Sequence, residues 1–311
     1  MKLFNHLDEI INIKETVVAL GNFDGVHKGH QELIRRTVKN AKNAGLKSAV
    51  FTFTNHPKNV VAEKPVIKNI LYLEDKAEII KNLGIDYLIS IEFSNEIQHM
   101  SAQAFIMDIL LEKIKMKEAY CGFNYRFGYK GEGNPEILMK TGIREGFGIH
   151  VLEPFEIEDN LVSSSFIRQL IASGKVDQCE KYMGRKYYVI GEVVIGNKIG
   201  RTIGFPTSNI LMDESMITPS HGVYVTYCIY NGVRHKSVTN VGIKPTIGDN
   251  KKTIETHIFD FDKELYGKEI KVEFIEKIRP EIKFNSIEEL SAQITRDCLT
   301  AKAYHGNQIM P

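Results

Sequence analysis

The chain has 311 residues, 43% of them apolar and 25% charged, with 40 basic against 39 acidic side chains. Apolar content of that order supports packed cores and excludes a disordered chain, and the length favours two domains over one. A net charge of +1 offers no global field for nucleic acid or an anionic membrane, so an anionic ligand has to be held locally.

The N-terminal MKLFNHLDEI carries Asp8 and Glu9 where a secretory signal needs its apolar run, and no stretch is long enough to span a membrane. From Thr16 to about Leu152, apolar runs alternate with helical patterns. TVVAL is followed by a helix from about Gly29 to Ala44, SAVFTF by a helix near Glu74 to Leu83, and DYLISIEF by a helix from Ala102 to Ile114. EAYC, a helix near Pro135 to Phe147 and the strand IHVL complete the series. Short buried runs between helices predict a parallel sheet covered on both faces, with ligands beyond the carboxyl ends of its strands.

Two helical segments follow, Ser164 to Ser173 and Val176 to Met183. After Arg185 the texture changes to successive strand-like runs: YYVIGEVVIG, GVYVTYCIY, VRHKSVTNVG, TIETHIFDF and EIKVEFIEKI. That succession predicts an antiparallel sheet or small barrel. A last helix from Ser286 to about Tyr304 opens with Ser286 and Glu289 three residues on, a capping-box pattern. The domain boundary falls near residue 184, dividing the chain into 1–184 and 185–311. The four cysteines, Cys121, Cys179, Cys228 and Cys298, form no C-x-x-C pair. They fit a reducing cytoplasm better than a zinc site or redox couple.

Three polar constellations occupy the first half. In GNFDGVHKGH, Gly21 and Gly25 permit a tight turn after a strand, and Gly29 opens a helix whose free N–H groups attract anions. His27 and His30 straddle that start and can donate to phosphate oxygens. Metalloprotease histidines stand i, i+4 with a glutamate between, which is absent here. The second constellation is SSSFIRQL, Ser163 to Leu170, with three hydroxyls before a helix that carries Arg168; any one serine could serve as a simple N-cap. The third, CGFNYRFGYKGEGN, places Asn124 and Arg126 in a glycine-rich loop that alone does not separate a binding role from a structural one.

The whole string G-x-F-D-G-x-H-x-G-H, set between strand and helix, resembles the H-x-G-H nucleotidyltransferase superfamily. SSSFIR is similar to that superfamily's S-S-T-x-x-R, with Ser165 in place of threonine. GFNYRFG resembles the G-x-[DN]-F-R-F-G segment of the bacterial flavin-adenylylating branch, with Tyr125 for phenylalanine. FTFTNHP, holding Asn55 and His56, resembles that branch's F-x-F-x-P-H-P, with Asn55 for proline.

In the second half, GRTIGFPTSNI places Thr207 and Asn209 two apart, so in extended chain both oxygen-bearing side chains point to one side. Neutral oxygen donors suit magnesium, which keeps phosphate oxygens and water in its other positions. The strand pattern around Glu255 does not by itself separate it from Glu264 or Glu269. PTSN resembles the P-T-A-N motif of riboflavin kinases, and NVGIKPTIG and RPEIKFNSIEEL are similar to further segments of that family.

Taken along nearly its whole length, the chain resembles the bacterial bifunctional riboflavin kinase and FMN adenylyltransferase family. The resemblance implies a Rossmann-like α/β nucleotidyltransferase domain followed by a six-stranded antiparallel β-barrel with a C-terminal helix. It implies riboflavin, FMN, FAD and ATP as substrates or products, with Mg2+, and no nucleic-acid or membrane partner. The expected protein is cytoplasmic, a monomer or weak homo-oligomer. At the adenylyl site it implies ATP contacts from Gly21, Phe23, Asp24, Gly25, His27, Gly29, His30, Ser164 and Arg168, and flavin contacts from Asn55, His56, Asn124 and Arg126. At the kinase site it implies ATP contacts from Gly196, Gly200, Pro206, Thr207 and Asn209, with the metal on the last two. Glu255 becomes the base, and Arg279, Glu281 and Phe284 hold flavin. Two alternatives are an enzyme in which only one domain works, or whose first domain takes another phosphorylated substrate such as phosphopantetheine or a nicotinamide mononucleotide, and a flavin-binding regulator without turnover.

Overall fold

The computed structural model describes residues 1–196, 200, 203–246 and 249–307. Arg201 and Thr202 of GRTIGFPTSNI, and Ile247 and Gly248 of NVGIKPTIG, lie outside the described residues. The chain divides into two compact units, Met1–Phe166 and Ile167–Pro311.

The first unit is built on a parallel sheet of β1 (Lys2–Phe4), β2 (Thr16–Leu20), β3 (Lys47–Phe53), β4 (Tyr87–Ile91), β5 (Met116–Gly122) and β6 (Gly148–Leu152), in the order β1-β4-β3-β2-β5-β6. All of β2 is buried, as expected for a strand covered on both faces. On one face Val18, Leu20, Ala49, Phe51, Ile89 and Cys121 join Phe105, Ile109 and Leu110 in a continuous core. α1 (Lys28–Ala44) packs on β2, β3 and β5 and buries Leu33, Ile34, Thr37 and Ala41.

From β2 the chain steps outward to β3 and β4, then returns to place β5 on the other side of β2. The strand order therefore reverses between β2 and β5, and a crevice opens beyond the carboxyl ends of those two strands. The helix expected over Ala102 to Ile114 is a short α-turn, Ala102–Ala104, running into a π-helix, Phe105–Lys113. Features without a sequence signature are β1, the short helices Pro57–Val61 and Asn95–His99, and a hairpin of β7 (Glu156–Ile157) and β8 (Asn160–Leu161).

The second unit is a closed antiparallel barrel of β9 (Tyr188–Val194), β10 (Ser208–Ile210), β11 (Gly222–Tyr230), β12 (Val233–Thr246), β13 (Asp249–Ile258) and β14 (Glu269–Arg279), in the order β10-β13-β12-β11-β14-β9. Closure by the β9·β10 pair removes the open sheet edges. Alternation sends Tyr224, Thr226, Ser237, Thr239, Thr256 and Phe274 to fully buried positions. Their hydroxyls satisfy one another: Thr226 Oγ1 lies 2.8 Å from both Ser237 Oγ and Thr239 Oγ1, and Thr239 Oγ1 lies 2.9 Å from Thr256 Oγ1.

The residues from Ile167 to Met183 belong to this second unit. Gly174 shows why: at φ +80° it fits against Ser220, Tyr224 and Lys277, where a Cβ would collide. The segment predicted as one helix from Val176 to Met183 is a 3-10 turn, Val176–Gln178, followed by a short helix, Cys179–Met183.

The final helix spans Ile287–Asn307. Ser286 Oγ accepts from Glu289 N at 3.2 Å, as the capping pattern predicts, but the Glu289 carboxylate accepts from Asn285 N (3.0 Å), one residue before the expected partner. The helix is pinned to the barrel by Arg279, whose Nε and Nη2 donate to the Asp297 carboxylate at 2.9 and 2.7 Å. Asp297 is 4% exposed, so removing it leaves a guanidinium without its counter-charge. Asp297→Ala should destabilise this unit by about 3–5 kcal/mol, measured by urea unfolding. A change within about 0.5 kcal/mol would mean the pair does not hold the helix.

Candidate functional site

At the first site, the loop from Gly21 to His27 joins β2 to α1. It turns sharply, with positive φ at Phe23 (50°), Gly25 (78°) and Val26 (34°). A β-branched residue in that region is strained, and such strain collects at ligand sites. Several contacts hold the loop. Phe23 is fully buried, Asp24 Oδ1 accepts from Ile70 N at 2.9 Å, and Asp24 O accepts from Ser164 Oγ at 2.8 Å.

His27 is the N-cap of α1, its Nδ1 accepting from His30 N at 3.3 Å. Accepting there leaves the proton of the neutral ring on Nε2. The two imidazoles stack with centroids 3.5 Å apart and planes 18° apart, and Phe23 packs against His30 in T-shaped fashion at 5.1 Å. A Cβ at Gly29 would lie 3.3 Å from the His27 ring and 3.2 Å from Phe155, so glycine lets the imidazole lie over the first turn. Among the described residues no group of three or more His, Cys, Asp or Glu side chains could hold a metal ion.

The serines divide their tasks. Ser163 Oγ caps the helix Ser164–Ser173 by accepting from Phe166 N at 3.2 Å, Ser164 ties it to the backbone of the β2–α1 turn at Asp24, and Ser165 is exposed. Arg168 lies one turn further along that helix.

The loops after β3 and β5 complete the sheet edge. Asn55 Oδ1 accepts from Phe93 N at 2.7 Å and its Nδ2 donates to Phe93 O at 3.4 Å. This amide replaces proline's rigidity with two cross-loop bonds. His56 caps the helix Pro57–Val61 through Nδ1, which accepts from Lys58 N at 3.2 Å. After β5, Asn124 and Arg126 are exposed on a loop closed by the Phe127–Gly133 bridge. Gly133 has no side chain because the Phe127 ring occupies that space.

On the barrel, register does the assembly. Asn209 on β10 stands opposite Glu255 on β13, and Glu255 stands opposite Asn240 on β12. Directly opposed residues share a face, so the three form a polar row on the outward face of the barrel wall, opposite the hydroxyl chain, with Asn209 itself buried. Gly196 lies where a Cβ would overlap the Asn209 amide, and a Cβ at Gly200 would collide with the Phe205 carbonyl oxygen. Pro206 O contacts His257 Nδ1 at 2.8 Å, and burial lowers the His257 pKa. A cavity beside β10 is lined by Gly196, Thr207, Asn209, Lys263, Glu264 and Tyr266. The last three come from the β13–β14 connection, which no motif marks.

The remaining residues expected at the kinase site lie at and just after the end of β14. Arg279 is committed to Asp297 and to Pro280 O, with Phe284 near its guanidinium at 5.9 Å. Glu281 is exposed, 3.6 Å from His221 Nδ1.

A parallel sheet with an H-x-G-H turn at its switch point, joined to a six-stranded barrel with P-T-S-N on a strand edge, defines a nucleotidyltransferase coupled to a small-molecule kinase. Residues 10–166 match the FAD synthetase family and residues 183–305 match riboflavin kinase. The bifunctional riboflavin kinase/FMN adenylyltransferase of Listeria monocytogenes is 36% identical over 96% of this chain and 94% of its own length. The Bacillus subtilis protein of the same description is 37% identical over 94% and 93%. A crystal structure described as a macrolide-efflux protein from Streptococcus pneumoniae is 30% identical, with a TM-score of 0.87 over 97% of this chain and 98% of that one. Efflux is that protein's description; among the described residues here, no helix is long and apolar enough to cross a membrane. The chain belongs to the bifunctional riboflavin kinase/FMN adenylyltransferase family.

The Asn55 clamp is testable without any ligand. Asn55→Ala leaves the Phe93 backbone groups to find other partners and should cost about 1–3 kcal/mol, read as a lowered unfolding midpoint. An unchanged midpoint would show that the loop holds its shape without the amide.

Proposed function

We infer that this chain makes FAD in two steps, phosphorylating riboflavin to FMN with ATP and then joining FMN to the adenylyl group of a second ATP. The observation that carries the reading is the presence of two separately assembled polar clusters in one chain, one on the β2–α1 turn and one on the β10–β13 edge, within a match to one family along nearly its entire length.

In the kinase step Glu255 takes the proton from the ribityl 5'-hydroxyl, whose oxygen attacks the γ-phosphorus of ATP; the bond to the β-phosphate oxygen breaks and ADP leaves. Thr207 and Asn209 would hold magnesium. Their hard, neutral oxygens fit it, and Gly196 leaves the Asn209 amide the space that a Cβ would take. When bound, the ion screens charge on the ATP phosphates. Gly196, Gly200 and Pro206 shape the ATP pocket, while Glu281 and Phe284 contact flavin. Arg279, anchored to Asp297, positions the segment that carries them.

In the adenylyl step an FMN phosphate oxygen attacks the α-phosphorus and pyrophosphate departs. The attacking group is already anionic, so orientation and charge stabilisation supply most of the rate. His27 and His30 donate to the phosphates, helped by the first-turn amides of α1 and by Ser164 and Arg168. Gly21, Phe23, Asp24, Gly25 and Gly29 hold the loop in the shape that lets phosphate approach its backbone. Asn55, His56, Asn124 and Arg126 receive the flavin. We place the functional boundary near residue 184. The enzyme works in the cytoplasm as a monomer or weak homo-oligomer, without nucleic-acid or membrane partners, a reading supported by its near-neutral charge.

Two variants separate the steps. Glu255→Ala should lower FMN formation by about 10²–10⁴-fold while leaving FAD formation from supplied FMN within about twofold. His27→Ala should do the reverse, lowering FAD formation by about 10²–10³-fold. Chromatographic time courses started from riboflavin and from FMN, on variants with intact circular dichroism, check both. Equal loss of both activities in either variant would contradict separate sites.

A further inference from the structure

Behind the phosphate loop lies a charged side chain that no motif accounts for. Lys76, on the helix Leu73–Asn82, is 7% exposed although lysine is seldom buried without a purpose or a partner. Its Nζ donates to Phe53 O at 2.9 Å and lies 3.5 Å from Thr52 Oγ1. Both atoms sit at the carboxyl end of β3, where the chain enters the loop bearing Asn55 and His56. Thr52 Oγ1 in turn donates to Asn22 O at 2.9 Å, inside the GNFDG turn. From the same turn, the buried Asp24 attracts the ammonium electrostatically. One cation thus holds the end of β3, from which the flavin loop departs, and reaches the ATP loop through Thr52 and Asp24.

Resting on the adenylyl-transfer reading of this site, we propose that Lys76 is a positioning residue for that step, its buried ammonium holding the ATP loop and the flavin loop in the mutual placement that the in-line attack needs. A neutral amine would keep the packing but lose the attraction to Asp24. It would also remove a positive charge from beneath a site that must receive a triphosphate and a phosphate monoester. The loop has reason to need such support, since the non-glycine residues Phe23 and Val26 hold positive φ and relax if released.

Titration of the ammonium offers a readout that a purely structural lysine lacks. Burial is the larger influence and lowers its pKa to about 8, with Asp24 opposing the fall. The other facing element, β3, presents neutral oxygens from Thr52 and Phe53, and Glu74, Asp75 and Glu78 on its own helix add nothing to the shift. The charged form is therefore present below about pH 8 and is lost as pH rises through that value.

The experiment is a pH profile of FAD formation from FMN and ATP by the full-length chain, for the unsubstituted protein, Lys76→Met and Lys76→Arg, with the riboflavin kinase activity of each sample as an internal control. The unsubstituted protein should lose kcat as pH rises through about 8. Lys76→Met should be slower at pH 7 by about 100-fold, with that alkaline limb abolished and kinase activity kept. Lys76→Arg, which does not titrate in this range, should carry the limb beyond pH 9. An alkaline limb that stays put in either variant, or its absence from the unsubstituted protein, overturns the proposal. Should Lys76→Met fail to fold, the comparison with Lys76→Arg decides by the same criterion. An unsubstituted protein that makes FMN but no FAD from FMN overturns the adenylyl-transfer reading and this inference with it.

Discussion

The first unit depends on how the chain passes from β2 into α1 without leaving backbone groups unsatisfied. A helix start has free N–H groups, and here His27 takes one of them, from His30, through Nδ1. That bond orients the His27 ring, which stacks on His30. The rest of the loop is arranged so that this cap can form. Asp24 is held from the Ile70 side and from Ser164, and the positive-φ residues complete the reversal. The other first-turn amides lie at the same turn, so the element that completes the fold also carries groups to which an anion would be drawn.

Strand order determines which other loops meet there. Because β5 lies on the far side of β2 from β3, the loops after β2, β3 and β5 gather along one sheet edge, although their sequences are about thirty to one hundred residues apart. The barrel reaches a comparable end by register. Its period-two alternation buries a chain of hydroxyls inside and leaves Asn209, Glu255 and Asn240 outside in one row. A one-residue slip of β13 would exchange Glu255 and Thr256, placing a carboxylate in the interior and a threonine opposite Asn209 and Asn240.

Much of this was legible from local pattern. The strand runs, the helix from Lys28 and the change of texture after Arg185 follow from periodicity and turn residues, because alternation and helical spacing are properties of neighbouring residues. The glycine–histidine turn, Ser164 and the Thr207–Asn209 spacing were visible for the same reason. Other features required the folded chain. Nothing near Asn55 in sequence says that its amide will clasp Phe93, and nothing near Arg279 announces Asp297. The π-helical winding of Phe105–Lys113 and the grouping of Ile167–Met183 with the barrel are also results of packing. Glu255 could not be separated from Glu264 or Glu269 by strand pattern, since each sits in an ordinary polar context; the β10–β13 register sets Glu255 opposite Asn209 and leaves Glu264 on the cavity wall.

The amino-acid sequence by itself determined the two-part architecture, the strand–turn–helix that carries His27 and His30, and the oxygen donors of the barrel edge. Each of these is encoded within a few consecutive residues by hydrophobic period, glycine and capping chemistry. Only the tertiary structure decided which distant groups meet: Lys76 on Phe53, Ser164 on Asp24, Asn240 and Asn209 flanking Glu255, and the Lys263–Tyr266 segment beside Thr207. The reason is that burial, strand order and register are settled by packing between elements, and residues far apart in the chain meet only once those elements have packed.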